Sequence, residues 1–93
     1  MTTREKIYLT LTDKLSSQFV DVKDDTGKHR GHKEAMASGG GHFSVTVVST
    51  QFEGKPLQER HRMVYAVLQT ELKSEIHALR LKAYTPQEWE KMN

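Results

Sequence analysis

Five histidines in a chain of 93 residues, with no cysteine anywhere, define the metal and acid–base chemistry available here. Imidazole titrates near neutrality and is a common metal ligand, so the placement of His29, His32, His42, His61 and His77 is the first question. His29 and His32 are separated by two residues in a polar, glycine-containing stretch, and His77 stands at the start of an alternating segment. A histidine at a strand end and another on a mobile loop could bring two nitrogens to one metal. Loop histidines are more often solvated, and a strand histidine more often makes one structural hydrogen bond. The residues alone leave both readings open.

Other chemistries find little support. Without cysteine there is no disulfide, no thiolate nucleophile and no thiolate metal ligand, which fits a reducing compartment. No serine nucleophile stands beside a histidine, no glycine-rich phosphate loop precedes a lysine, and no HExxH occurs. The glycines at 39–41 precede a strand, whereas a phosphate-binding loop must open a helix so that its amides face the anion. They read as a hinge, and an enzyme is not expected. The length suits one domain with a single modest core. No stretch approaches the ~20 apolar residues needed to cross a bilayer, and no charged-then-apolar leader precedes Ile7. The net charge of +2 is small for a nucleic-acid binder.

The elements that must position these histidines follow from periodicity. Thr2 and Glu5 have capping-box spacing, and Ile7, Leu11 and Leu15 recur on one helical face, predicting a helix from about Thr3 to Ser17. Phe19 to Lys23 reads as a strand with Val20 and Val22 on one face. The segment from Asp24 to Gly41 keeps no period and is expected to be a mobile loop that orders when a partner binds. A second strand is expected from about His42 to Gln51, antiparallel to the first. Pro56 suits a first helical position. After it, Leu57, His61, Val64, Leu68 and Leu72 define the expected buried stripe, with Glu59, Arg60, Arg62 and Gln69 projecting elsewhere. On that stripe His61 reads as a structural hydrogen-bonding residue between helix and sheet. Ile76 to Tyr84 alternates again, with His77, Leu79, Leu81 and Ala83 on one face and Arg80 and Lys82 on the other. Thr85 and Glu88 have capping-box spacing, and Trp89 can fold back onto the sheet. The order α-β-β-α-β-α, with a right-handed crossover before the last strand, gives an α/β (α+β) domain. Its three-stranded mixed sheet carries helices on one face.

Two separated motifs tie the chain to a known family. His42 to Leu68 reads HFSVTVVSTQFEGKPLQERHRMVYAVL, with a strand, Phe52-Glu53-Gly54-Lys55, a helix, and Arg60-His61-Arg62 in order. Ile76-His77-Ala78-Leu79 is followed by Tyr84-Thr85-Pro86 and Trp89. This pattern resembles the BolA family over nearly the whole chain, departing from it between Lys33 and Gly41. The resemblance implies a single BolA-like domain over residues 1–93, similar to a type II KH fold. It also implies a monothiol glutaredoxin as partner and a [2Fe–2S] cluster shared with that glutaredoxin and glutathione, with none expected in the isolated chain. The family's histidine before Ala-Leu is His77. Its loop ligand, histidine in one branch and cysteine in another, is His29 here, with His32 as the alternative. His42 matches a position that is commonly histidine in the family and is assigned a supporting role. Replacing thiolates by neutral imidazoles removes negative charge from a cluster and makes its ligation sensitive to protonation, which suits transfer or sensing.

The second functional class is DNA binding, since BolA proteins have been regarded as regulators of growth and stress genes. Lys55, Arg60, Arg62 and Lys73 are the candidate phosphate contacts. Against it, a KH domain grips the backbone through a GxxG turn, and Phe52-Glu53-Gly54-Lys55 has one glycine and an acid there. Interaction with another protein through the sheet and loop, without metal, is a third class. The expectation is a cytoplasmic protein, or an organellar-matrix one if the chain is processed. It would be monomeric or weakly dimeric and not bound to membranes.

Overall fold

A reciprocal cap starts the first helix. Thr2 Oγ1 accepts from the Glu5 amide at 3.1 Å, and Glu5 Oε1 accepts from the Thr2 amide at 2.9 Å. In the computed structural model, described for residues 1–29 and 40–92, this helix, α1, runs Thr3–Lys14 and buries Ile7 and Leu11. It ends before the expected Ser17. Ser16 turns left-handed at φ 46°, and the Ser17 hydroxyl donates to the Leu11 carbonyl at 2.8 Å. Side-chain competition for a terminal carbonyl stops the helix there.

Three strands follow: β1 (Phe19–Asp24), β2 (Gly41–Val48) and β3 (Ile76–Tyr84). The sheet order is β1-β2-β3, with β2 antiparallel to β1 and parallel to β3, as the crossover requires. β2 stops at Val48, short of the expected Gln51. Ser49 caps a 3₁₀ turn at Thr50–Phe52, and its buried hydroxyl also donates to the Leu15 carbonyl at 2.6 Å. Most of the expected loop lies outside the described residues, apart from a 3₁₀ turn at Thr26–His29.

The expected second helix divides into α2 (Leu57–Val67) and α3 (Gln69–Ser74), with Leu68 at φ −100° and ψ 13° between them. Pro56 stands just before the first helical residue instead of opening the helix. The expected buried stripe holds at Val64, Leu68 and Leu72 and fails in the first turns, at Leu57 and His61. Arg60, Val64 and Leu68 face inward, Leu57 is 61% exposed, and His61 is only half-buried. The reason is chemical. Arg60 has its donors satisfied by the Lys55 carbonyl (2.8 Å), the Ala83 carbonyl (3.1 Å) and the Glu88 carboxylate (2.7 Å). A guanidinium paired at all three of its nitrogens can take an inward position that a hydropathy period assigns to its neighbour. The helix-to-sheet hydrogen bond expected of His61 is made by Arg60.

On the helix-covered face, Val22, Phe43, Val45, Val47, Ile76 and Ala83 join Ile7, Leu11, Phe52, Val64 and Leu68 in one core. Alternation sends Asp21, Lys23, Ser44, Thr46, Arg80 and Lys82 to the other face. One end of that second face is covered by α4 (Pro86–Met92), a correction to the expectation of helices on a single side. Trp89 stacks on Phe19 at 5.0 Å and lies 5.7 Å from Tyr84, and Val48, the cross-strand partner of both, is buried. α4 begins with the expected reciprocal cap between Thr85 and Glu88. No helix among the described residues is long and apolar enough to cross a membrane.

Candidate metal centre

The β2–β3 register slips at one place. Gly41 pairs with Ile76 and His42 with Ala78, leaving His77 as the extra residue of a β-bulge. The bulge lets Ile76 stay in the core while His77 swings out and is exposed. A bulge re-aims one side chain without moving the rest of its strand. The expected alternation from His77 to Ala83 therefore holds from Leu79 onward and fails at His77 itself.

Two glycines make room for this arrangement. A Cβ on Gly40 would come within 2.6 Å of His77 Cβ, and one on Gly41 within 2.7 Å of the Phe43 ring. Neither position has space for a side chain without displacing its neighbour. At the two positions described, Gly40 and Gly41, the glycine run permits close approach. The Gly41 amide also donates to the Glu75 carbonyl at 3.0 Å, fixing the start of β2 to the residue before β3.

His42 is held on both sides of its backbone. Its amide donates to Thr26 Oγ1 at 3.1 Å, and its carbonyl accepts from the Asp25 amide at 2.7 Å. Asp25 in turn accepts from the Ser44 hydroxyl, and the Thr26 amide donates to Asp24 Oδ1 at 2.9 Å. The first turn of the loop is thereby pinned against the start of β2. The His42 and His77 rings come together at this end of the sheet, 5.3 Å between centroids and tilted by 37°.

Of the sequence candidates, His77 is thus presented beside His42. His29 ends the pinned 3₁₀ turn, while its side chain, and His32 altogether, lie outside the described residues. Among the described residues no group of three or more His, Cys, Asp or Glu side chains could hold a metal. The two imidazoles that the described residues bring together are those of His42 and His77.

The basic candidates do not form one surface. Arg60 is buried and engaged with Glu88, which removes it from the phosphate-contact set. Lys55, Arg62 and Lys73 are exposed, with Arg62 3.5 Å from Glu59. His61 borders an open groove with Gln58, Arg62 and Tyr65. On the open sheet face, Lys23, Arg80 and Lys82 alternate with Asp21 and Asp25 around a shallow depression of about 250 Å³. Carboxylates are shifted where cations meet them. Lys6, then Thr3, hydrogen-bond Glu75 and lower its pKa. The Arg60 hydrogen bond, then that of the Thr85 amide, lowers Glu88 to about 2.

Sequence reasoning missed two relationships. The His42–His77 proximity was latent in the parallel pairing of two strands that each begin near a histidine. The Arg60–Glu88 link joins residues 28 apart and leaves no local signal.

Comparison with known proteins places this arrangement. The family model described as BolA-like protein matches residues 11–88. Protein BOLA2 of Arabidopsis thaliana is 48% identical over 90 residues, covering 96% of this chain and 85% of that protein. The DNA-binding transcriptional regulator BolA of Escherichia coli is 38% identical over 90 residues, covering 97% and 82%. The solved BolA domain of SufE1 from Arabidopsis thaliana superposes with a TM-score of 0.80 at 38% identity, covering 95% of this chain and 96% of that one. Family match, sequence identity and topology agree over nearly the full length, and the chain belongs to the BolA-like family.

Proposed function

We propose that this chain is a non-enzymatic partner of a monothiol glutaredoxin, acting in iron–sulfur cluster delivery or in iron and redox signalling. His77 supplies one nitrogen to a bridging [2Fe–2S] cluster, and His29, or His32, supplies the second. The glutaredoxin and glutathione supply thiolates, which this cysteine-free chain lacks. The observation that carries the reading is the bulge, which turns His77 out of the sheet beside a pinned loop turn. When bound, the cluster provides redox and transfer chemistry. This chain's own residues orient the imidazole and leave the partner's side of the site open.

The test is reconstitution with a monothiol glutaredoxin and glutathione, followed by visible circular dichroism. His77→Ala should abolish or strongly weaken the mixed cluster while leaving the thermal melt unchanged. His29→Ala should alter the spectrum or lifetime, and His32→Ala less so. An unchanged spectrum in His77→Ala would remove this chain's main proposed ligand.

A DNA-binding regulator is the second reading, favoured by the 38% identity to the DNA-binding transcriptional regulator BolA of Escherichia coli. Lys55, Arg62 and Lys73 remain exposed for phosphate contact. Duplex affinity falling steeply with salt would support it, and Lys55→Ala should reduce the slope by about 1.

A further inference from the structure

We propose that the outer edge of β3 docks an extended acidic segment of a partner protein as a fourth strand. The surface excludes His77 and needs no cluster, so this proposal and the cluster reading can each fail alone.

Two hydrogen bonds fix which way the β3 backbone faces. The Tyr84 carbonyl accepts from the Ser49 amide at 3.1 Å, on the β2 side. The preceding Ala83 carbonyl accepts from Arg60 Nη1 at 3.1 Å, on the other side. Backbone groups of successive residues alternate between the two edges of a strand, and the register runs without a slip from His42↔Ala78 to Val48↔Tyr84. The N–H and C=O groups of Leu79 and Leu81 therefore point away from β2, as those of Ala83 do. β3 ends the sheet order, and among the described residues nothing pairs with these outward groups of Leu79 and Leu81. Arg60 closes the edge at Ala83, which leaves Ala78 to Lys82 open. Such an edge is a template for an added strand.

Side chains on this stretch specify the occupant. Arg80 and Lys82 are exposed on the open face and have no ion pair among the described residues. The carboxylates of that face, Asp21 and Asp25, lie on β1 and the turn after it, across β2. Two strand spacings, about 10 Å, separate Asp21 from Lys82, so the β3 side of the face is basic. Leu79 and Leu81 alternate with the cations and are only partly buried against the core. A fourth strand would lie about 4.8 Å away, with its side chains directly beside these. The complement is a segment that alternates Asp or Glu, beside Arg80 and Lys82, with apolar residues, beside Leu79 and Leu81. A second copy of this chain fits poorly. In antiparallel pairing of two β3 edges centred on Leu81, Arg80 of each copy faces Lys82 of the other.

The experiment adds the blocked peptide acetyl-Val-Glu-Val-Glu-Val-amide to the full chain, with its lysine counterpart as control, and reads amide chemical shifts and hydrogen exchange. In wild type the acidic peptide should slow exchange at the Leu79 and Leu81 amides. It should leave the Arg80 and Lys82 amides, which already face β2, unchanged. The acidic peptide should bind at least about tenfold more tightly than the lysine peptide. Arg80→Glu/Lys82→Glu, with folding checked by far-UV dichroism, should reverse that preference. Should this variant fail to fold, the exchange pattern in wild type decides the matter. Four results would each overturn the proposal. The acidic peptide fails to bind at about 1 mM, or it binds without protecting Leu79 and Leu81, as plain charge attraction would. The folded charge-reversed variant keeps the wild-type preference. Sedimentation shows self-association with those two amides protected in the absence of peptide, which would give the edge to a second copy.

Discussion

Arg60 on α2 grips Glu88 on α4 with both ends of its guanidinium, Nη1 to Oε1 at 2.7 Å and Nη2 to Oε2 at 3.2 Å. The same Nη1 reaches the Ala83 carbonyl on β3, and Nε reaches the Lys55 carbonyl in the turn before α2. One side chain therefore ties a turn, a helix and a strand together.

Arg60→Ala should destabilise the fold by about 2 kcal/mol through lost hydrogen bonds to two carbonyls and a carboxylate. The half-exposed Glu88 limits the ion-pair share through solvent screening. Arg60→Lys should recover little, because an ammonium lacks the planar fork. Arg62→Ala, beside an exposed Glu59 pairing, should stay within about 0.5 kcal/mol of wild type. Denaturant melts separate the three, and equal losses at 60 and 62 would contradict the observed helix phase.

Glu88 supplies a pH dependence. Its carboxyl titrates near 2 in the fold against an ordinary 4.5. A lowered folded pKa means stability is fully present above the unfolded value and is lost as pH falls through the window toward the folded one. The melting-temperature advantage of wild type over Glu88→Gln should hold at neutral pH. It should shrink below pH about 4.5 and disappear near pH about 2. An advantage that stays constant across that range would show that the carboxylate charge contributes nothing.

The corrected stripe makes its own contrast. Leu68 is fully buried, and Leu68→Ala should cost about 2–5 kcal/mol as a core cavity. Leu57→Ala, at a 61% exposed position, should cost under about 0.5 kcal/mol. His61→Ala should likewise have a small effect, and a loss comparable to that of Leu68→Ala would restore His61 to the core.

Gly40→Ala tests the room made for His77. The added methyl would meet His77 Cβ at 2.6 Å, so it should shift the His77 ring resonances and lower the yield of reconstituted mixed cluster. Gly27→Ala is the control, because a Cβ there meets nothing within 4 Å. Identical resonances in Gly40→Ala and wild type would show that His77 does not depend on that contact.

Family, element order and most of the core are legible in the local pattern of residues. Capping boxes at Thr2–Glu5 and Thr85–Glu88, the Ile7-Leu11 face and the alternation of β2 are local patterns with direct physical causes. Features that depend on pairing between distant parts of the chain emerge only in the fold. Arg60 turns inward because Glu88 and two distant carbonyls satisfy it, and hydropathy periodicity assigns a lone arginine to solvent. Helix α1 stops at Lys14 because Ser16 and Ser17 turn the backbone. His77 leaves its expected alternation because register is a property of two strands, and a bulge appears only when both are present. The meeting of His42 and His77 has the same origin: residues 35 apart in sequence become neighbours through parallel pairing, Gly40 and the pinned turn at Thr26.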